Sequence, residues 1–122
     1  SLLLYSDKGD HIGWHYDHNF YRGRHFTVLL SIENCRLGSA SLSSAVLETR
    51  TKDGLCRIAT PPNTLVVFEG DRLLHRVTKL GADERRVLLS MTFSTWPEST
   101  FLKELLRRLK DTAYFGVRAL WA

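Results

Sequence analysis

Between residues 2 and 93, short apolar runs alternate with turn residues at intervals that favour strands over helices, and this rhythm restricts the fold more than any other feature. Leu2 to Ser6 is apolar and ends at the turn Asp7-Lys8-Gly9-Asp10. His11 to Asp17 reads as a second strand, and Asn19 to Arg24 as a polar, aromatic-rich loop. Phe26 to Ile32 is the densest run and predicts a strand buried on both faces. Glu33 to Ser44 reads as loop. Ala45 to Thr51 and Leu55 to Ala59 flank Lys52-Asp53-Gly54, a hairpin signal. Pro61-Pro62-Asn63 turns into Thr64 to Phe68, and Glu69-Gly70-Asp71 turns into Leu73 to Thr78. After Gly81-Ala82-Asp83-Glu84, a last strand runs from Arg85 or Arg86 to Phe93. About eight short strands with this spacing predict a mainly β, antiparallel barrel or sandwich. The leading form is a jelly roll, a cupin-like double-stranded β-helix with a cavity between two sheets.

The period changes after residue 95. Thr95-Trp96-Pro97-Glu98 fits a capping box with proline in the first turn. Phe101, Leu102, Leu105, Leu106 and Leu109 then recur at helical spacing, with Lys103, Arg107, Arg108 and Lys110 opposite them. The tail therefore predicts an amphipathic C-terminal helix interrupted at Gly116. The expected organisation is one domain over 1–122, with a jelly-roll core at 1–95 and a helical segment at 96–122. The chain opens on Ser1 and enters an apolar run at once, so a fragment lacking N-terminal elements is expected.

The chain is 43% hydrophobic and 25% charged, which argues against disorder. No apolar stretch approaches the ~20 residues that a membrane-spanning helix needs. Cys35 and Cys56 lack metal-finger spacing, so neither a zinc module nor a disulfide scaffold is expected, and a reducing, cytoplasmic setting is the default. The net charge of +4 is spread along the chain apart from the late basic cluster, which reads as a solvated helix face rather than a nucleic-acid surface. No feature fixes an oligomeric state.

The segment Trp14-His15-Tyr16-Asp17 carries candidate chemistry. Residues two apart on a strand share a face, so His15 and Asp17 would project together into a cavity. An imidazole nitrogen and a carboxylate oxygen suit ferrous iron, and a second histidine would complete a facial triad with positions left open. His11 lies one step too far along, His18 should point away from Asp17, and His25 sits at a strand start. His75, after the turn at Glu69-Gly70-Asp71, is the preferred third ligand, supplied by a strand facing the first across the cavity.

Arg85 and Arg86 follow His75 closely, and a guanidinium can grip a carboxylate with two parallel hydrogen bonds. Val87, Leu89, Met91 and Phe93 form one apolar face, whereas Arg86, Leu88, Ser90 and Thr92 form a mixed one. That phase turns Arg86 inward and leaves Arg85 to solvent. Taken together, Tyr5, His15-Tyr16-Asp17, Arg24-His25-Phe26-Thr27, His75-Arg76-Val77-Thr78 and Arg86 resemble the 2-oxoglutarate and Fe(II)-dependent dioxygenases in a prolyl-hydroxylase-like layout. The resemblance spans residues 1 to 94. A looser likeness, to amino-acid hydroxylases and radical halogenases, rests on Trp14 to Asp17, Pro62 to Gly70 and Arg118 to Trp121. Because Asp17 is present, hydroxylation rather than halogenation is implied. A Gly-Gly turn common in relatives is replaced by Cys35-Arg36-Leu37-Gly38.

The resemblance implies a hydroxylase that uses Fe(II), the cosubstrate 2-oxoglutarate and O2, releasing succinate and carbon dioxide. His15, Asp17 and His75 would be catalytic metal ligands. Arg86, or else Arg85, would bind the oxoacid, with Tyr5 hydrogen-bonded to it, and Ser31 and Ser90 would line the same pocket. Trp14, Tyr16, Phe20 and Tyr21 would shape the cavity mouth. The implied substrate is a small molecule such as an amino acid. A protein side chain, as in prolyl hydroxylation, is one alternative, and a non-catalytic jelly-roll binding module with a vestigial metal site is another.

Overall fold

A computed structural model describes residues 1–96 together with Leu106 and Arg107. The described residues form eight strands: β1 (Leu2–Tyr5), β2 (Ile12–His15), β3 (Arg22–Arg36), β4 (Leu47–Thr51), β5 (Gly54–Ile58), β6 (Leu65–Phe68), β7 (Leu74–Val77) and β8 (Glu84–Trp96). They make two four-stranded antiparallel sheets, ordered β1-β8-β3-β6 and β2-β7-β4-β5. Leu3 and Leu88 of the first sheet and Ile12, Leu47 and Val77 of the second share one buried cluster, which joins the sheets face to face. Among the described residues, no helix is long and apolar enough to cross a membrane.

The first sheet inverts the usual distribution of polarity. Its inward residues include Tyr5, His25, Thr27, Ser31 and Arg86, all buried. Its outward residues are apolar: Phe26 pairs with Phe93, Val28 with Met91 and Val67, and Leu30 with Leu89 and Leu65. Strand β3 is therefore not buried on both faces, as its composition predicted. His25, Thr27, Leu29 and Ser31 are buried, while Phe26, Val28 and Leu30 are only half-buried. Composition alone could not separate the two faces, because apolar residues dominate the one turned away from the interior.

Both β3 and β8 outrun their predicted limits. Arg22 and residues 33–36, expected in loops, pair with Trp96 and with Val87 to Glu84 of β8. A register shift between Ser31 and Glu33 changes the inward phase from odd to even residues and turns Asn34 to the interior, opposite Arg86. At the other end, Thr95 and Trp96 are strand, not helix cap. The Thr95 hydroxyl accepts the Arg24 backbone N–H at 2.9 Å, so it serves the sheet. Beyond them, Leu106 and Arg107 are helical, and the remainder of the predicted helix lies outside the described residues.

The turns follow their side chains. Thr51 pairs with Gly54 to close the β4–β5 hairpin, whose glycine takes a positive φ of 120°. Glu84, predicted as a turn residue, is buried and accepts hydrogen bonds from the Ser44 N–H, the Ser44 hydroxyl and the Gly81 N–H. Burial alone would raise its pKa, but these bonds and Arg36 hold it below its ordinary value. The ends of the β3–β4 and β7–β8 connections are thereby tied together. Both cysteines are free.

Candidate metal centre

His15 ends β2 and His75 lies in β7, and the two are direct cross-strand partners. Their rings stand 4.2 Å apart between centroids. The sequence led us to expect His75 from a strand across the cavity; it comes instead from the adjacent strand of the same sheet, where register sets its position. Asp17 lies two residues past the end of β2. Its N–H donates to the Gly70 carbonyl at 2.8 Å, which holds it in place without a strand. The i, i+2 relation thus survives the end of the ladder.

Asp17 Oδ1 is 3.3 Å from His15 Nε2 and 3.4 Å from His75 Nε2. One donor atom from each residue fits within a mutual separation of 4.8 Å. Neighbouring ligands with bonds of ~2.1 Å at right angles lie about 3 Å apart, so little movement is needed to close on one ion. The ring orientations are fixed as metal-binding histidines require. His15 Nδ1 donates to the Gly13 carbonyl at 2.8 Å and His75 Nδ1 to the Leu73 carbonyl at 2.7 Å. A carbonyl only accepts, so each Nδ1 carries a proton, and each Nε2 faces Asp17 Oδ1, to which it donates when it is protonated and beside which it offers an ion its lone pair when it is not. Burial pushes the Asp17 pKa up, but hydrogen bonds with His15, His25, His75 and Thr27 outweigh it and hold the carboxyl well below the carboxylate range. Two imidazoles and one carboxylate form a donor set that fits a divalent first-row ion.

The triad lines a cavity of about 510 Å³, which also receives Tyr5, Leu88, Ser90 and Arg86. Arg86 is only 1% exposed. Its guanidinium lies 5.1 Å from the Tyr5 ring centroid and makes one long contact to the Thr60 hydroxyl, at 3.5 Å. The Tyr5 hydroxyl and Arg86 Nε are buried without a hydrogen bond of good geometry. Burial pushes the Tyr5 phenol up to about 12 despite the nearby guanidinium, so it stays protonated and able to donate. Burial likewise pulls the Arg86 pKa below its ordinary value. A buried cation and a phenol with donors to spare form a cradle suited to a carboxylate. Arg85 faces the other way, half-exposed and 3.4 Å from Glu33 Oε2.

Several expected lining residues stand elsewhere. Trp14 lies between the guanidiniums of Arg50 and Arg76, at 4.7 and 4.6 Å, and does not line the cavity. Tyr16 is exposed, and the Ser31 hydroxyl donates to the Thr60 carbonyl. Phe20, Tyr21 and Ser90 do line the cavity. So does His18, against expectation, because strand alternation no longer applies once β2 has ended. His11 is exposed, and its Nδ1 donates to the Gly9 carbonyl at 2.9 Å.

From sequence, two neighbours of the triad stand only within the Arg24-His25-Phe26-Thr27 motif, with no role at Asp17 assigned to them. Thr27 Oγ1 donates to Asp17 Oδ2 at 2.5 Å, and His25 Nε2 lies 3.2 Å from Thr27 Oγ1. Alternation back from Leu29 along β3 is the signal that would have found both. No protein-family model matches the chain, and a search of the curated proteins returns no match.

Proposed function

We propose that this chain is the jelly-roll core of an Fe(II) and 2-oxoglutarate-dependent oxygenase that hydroxylates a C–H bond of a small molecule such as an amino acid. The observation that carries the reading is the sharing of one cavity by the His15–Asp17–His75 triad and the buried Arg86. A metal site alone is compatible with many chemistries. A metal site that shares one cavity with an under-partnered arginine and a protonated tyrosine suits an oxoacid bound at both ends. The strand orders β1-β8-β3-β6 and β2-β7-β4-β5 support the jelly-roll assignment, since each sheet interleaves strands from the two halves of the chain.

His15 Nε2, His75 Nε2 and Asp17 Oδ1 would hold the iron, and Arg86 with Tyr5 would orient the distal carboxylate of 2-oxoglutarate. Bound there, ferrous iron supplies dioxygen activation coupled to decarboxylation of the oxoacid. The protein's own contribution is positional: the carbonyls of Gly13 and Leu73 aim the imidazoles, and Leu88 and Phe68 keep the interior apolar around them. Phe68 also packs edge-on against His75, with ring centroids 4.8 Å apart, which limits rotation of that ligand.

The test is succinate release from 2-oxoglutarate by the Fe(II)-loaded protein, screened against free amino acids and against peptides. Stimulation by one or a few free amino acids is expected. Stimulation by peptides alone would replace the small-molecule reading with side-chain hydroxylation. Iron binding with no turnover under any condition would leave a binding module.

A further inference from the structure

The two oxygens of Asp17 have different surroundings. Oδ1 meets both ligand imidazoles, whereas Oδ2 meets Thr27 and, at 3.9 Å, His25 Nε2. The Thr27 hydroxyl has one proton, and the 2.5 Å approach to Oδ2 places that proton on the bond to the carboxylate. Toward His25 the same oxygen can only accept, so His25 donates from Nε2. The result is a directed chain, from His25 to Thr27 to Asp17 Oδ2, and its first two members are buried. Gly70 completes it from the other side. Its carbonyl holds the Asp17 N–H, and a Cβ at this position would fall on the Asp17 carboxylate and the Thr27 hydroxyl.

We propose that His25 and Thr27 are positioning residues which, with Gly70 kept bare above them, engage Asp17 Oδ2 and so present Oδ1 alone to the metal. The inference rests on the metal-centre reading given above. Its physical content is that a carboxylate free to rotate could chelate with both oxygens or swing away, and either would change the ligand set. With Oδ2 committed to Thr27, one oxygen remains for the ion. Outer partners of this kind typically alter metal affinity 10- to 100-fold when removed.

The experiment uses Co(II) alone, without oxoacid or turnover, and follows its visible d–d absorption in a titration of the full chain. Thr27→Val keeps the shape of the side chain and removes the donor. The expected result is Co(II) binding weakened by roughly 10- to 100-fold with an altered band shape, while Thr27→Ser stays within about threefold of the original protein. His25→Leu should weaken binding less than Thr27→Val, because it acts through Thr27. Thr27→Val binding Co(II) with the original affinity and spectrum overturns the relay. Should Thr27→Val not fold, His25→Leu decides: affinity and spectrum equal to the original protein's overturn it. Failure of the unsubstituted protein to bind Co(II) is a separate outcome, since it overturns the metal centre on which the relay depends.

Discussion

At one end of the cavity, Asp17 and the two ligand histidines have their polar atoms engaged, by Thr27, by the carbonyls of Gly13 and Leu73, and by one another. At the other end, Arg86 and Tyr5 are buried more deeply than His15 and Asp17, yet Arg86 Nε and the Tyr5 hydroxyl lack a good partner. The first end is organised by the protein itself, so its geometry exists before any ion arrives. The second carries a desolvated cation with few compensating bonds, an arrangement that costs stability and that folding alone does not explain. On the proposed reading that end binds a carboxylate, so the two ends should respond to substitution in opposite ways.

The largest separation should come from Arg86→Met. Removing a poorly compensated buried charge should leave the metal-free protein equally stable or more stable, by about 1–3 kcal/mol. The same change should weaken 2-oxoglutarate binding to the metal-loaded protein by about 2–4 kcal/mol, the range for losing one partner of a buried charged pair. Thermal unfolding and calorimetric titration of one sample measure both effects. Arg85→Met is the matched control and should change either quantity by less than about 0.5 kcal/mol, because its ion pair with Glu33 is half-exposed. A fall in stability with unchanged oxoacid binding would make Arg86 structural and remove the contrast between the ends.

How much of this was legible in the sequence follows from the period of a strand. The choice of Arg86 over Arg85 as the inward residue came from alternation along β8, and the structure turns Arg86 inward by that same alternation, opposite Tyr5 and Asn34. Turn chemistry likewise marked most strand boundaries. What alternation could not supply was long-range register. That His75 stands beside His15 depends on the pairing of β2 with β7, across roughly half the chain. Nor could it follow the phase change at the Ser31–Glu33 register shift, or the fate of His18 once β2 had ended. From sequence, Thr27 and His25 stand only within a motif, with His25 set aside as a ligand, because their role appears only when the carboxylate of Asp17, from another part of the chain, is placed beside them.

A smaller effect is expected from Tyr5→Phe. The phenol remains protonated at neutral pH, so on the proposed reading its contribution is one hydrogen bond to the oxoacid, about 1 kcal/mol. Affinity for 2-oxoglutarate should therefore fall about fivefold, with metal affinity unchanged, in the same calorimetric titration. A loss of metal affinity in this variant would show that the two ends are coupled more tightly than their hydrogen bonds indicate.

The metal end has its own signature in pH. The folded-state pKa of Asp17 is depressed, so the carboxylate contributes stability above its unfolded value of about 3.9, and that contribution is lost as pH falls. The metal-free protein should lose thermal stability on going from pH 5 to about pH 3, and Asp17→Asn should flatten this part of the curve. Arg86→Met should leave the slope as it is. Equal slopes in the original protein and Asp17→Asn would mean that other carboxylates, such as Glu84, carry the acid sensitivity.

The most direct test of the whole account is the visible absorption that develops when Fe(II) and 2-oxoglutarate are added together without oxygen. Convergence of His15, Asp17 and His75 on one ion beside Arg86 predicts a weak charge-transfer band in the original protein and none in His75→Ala. A band that survives in His75→Ala, or one that never forms in the original protein, would contradict it.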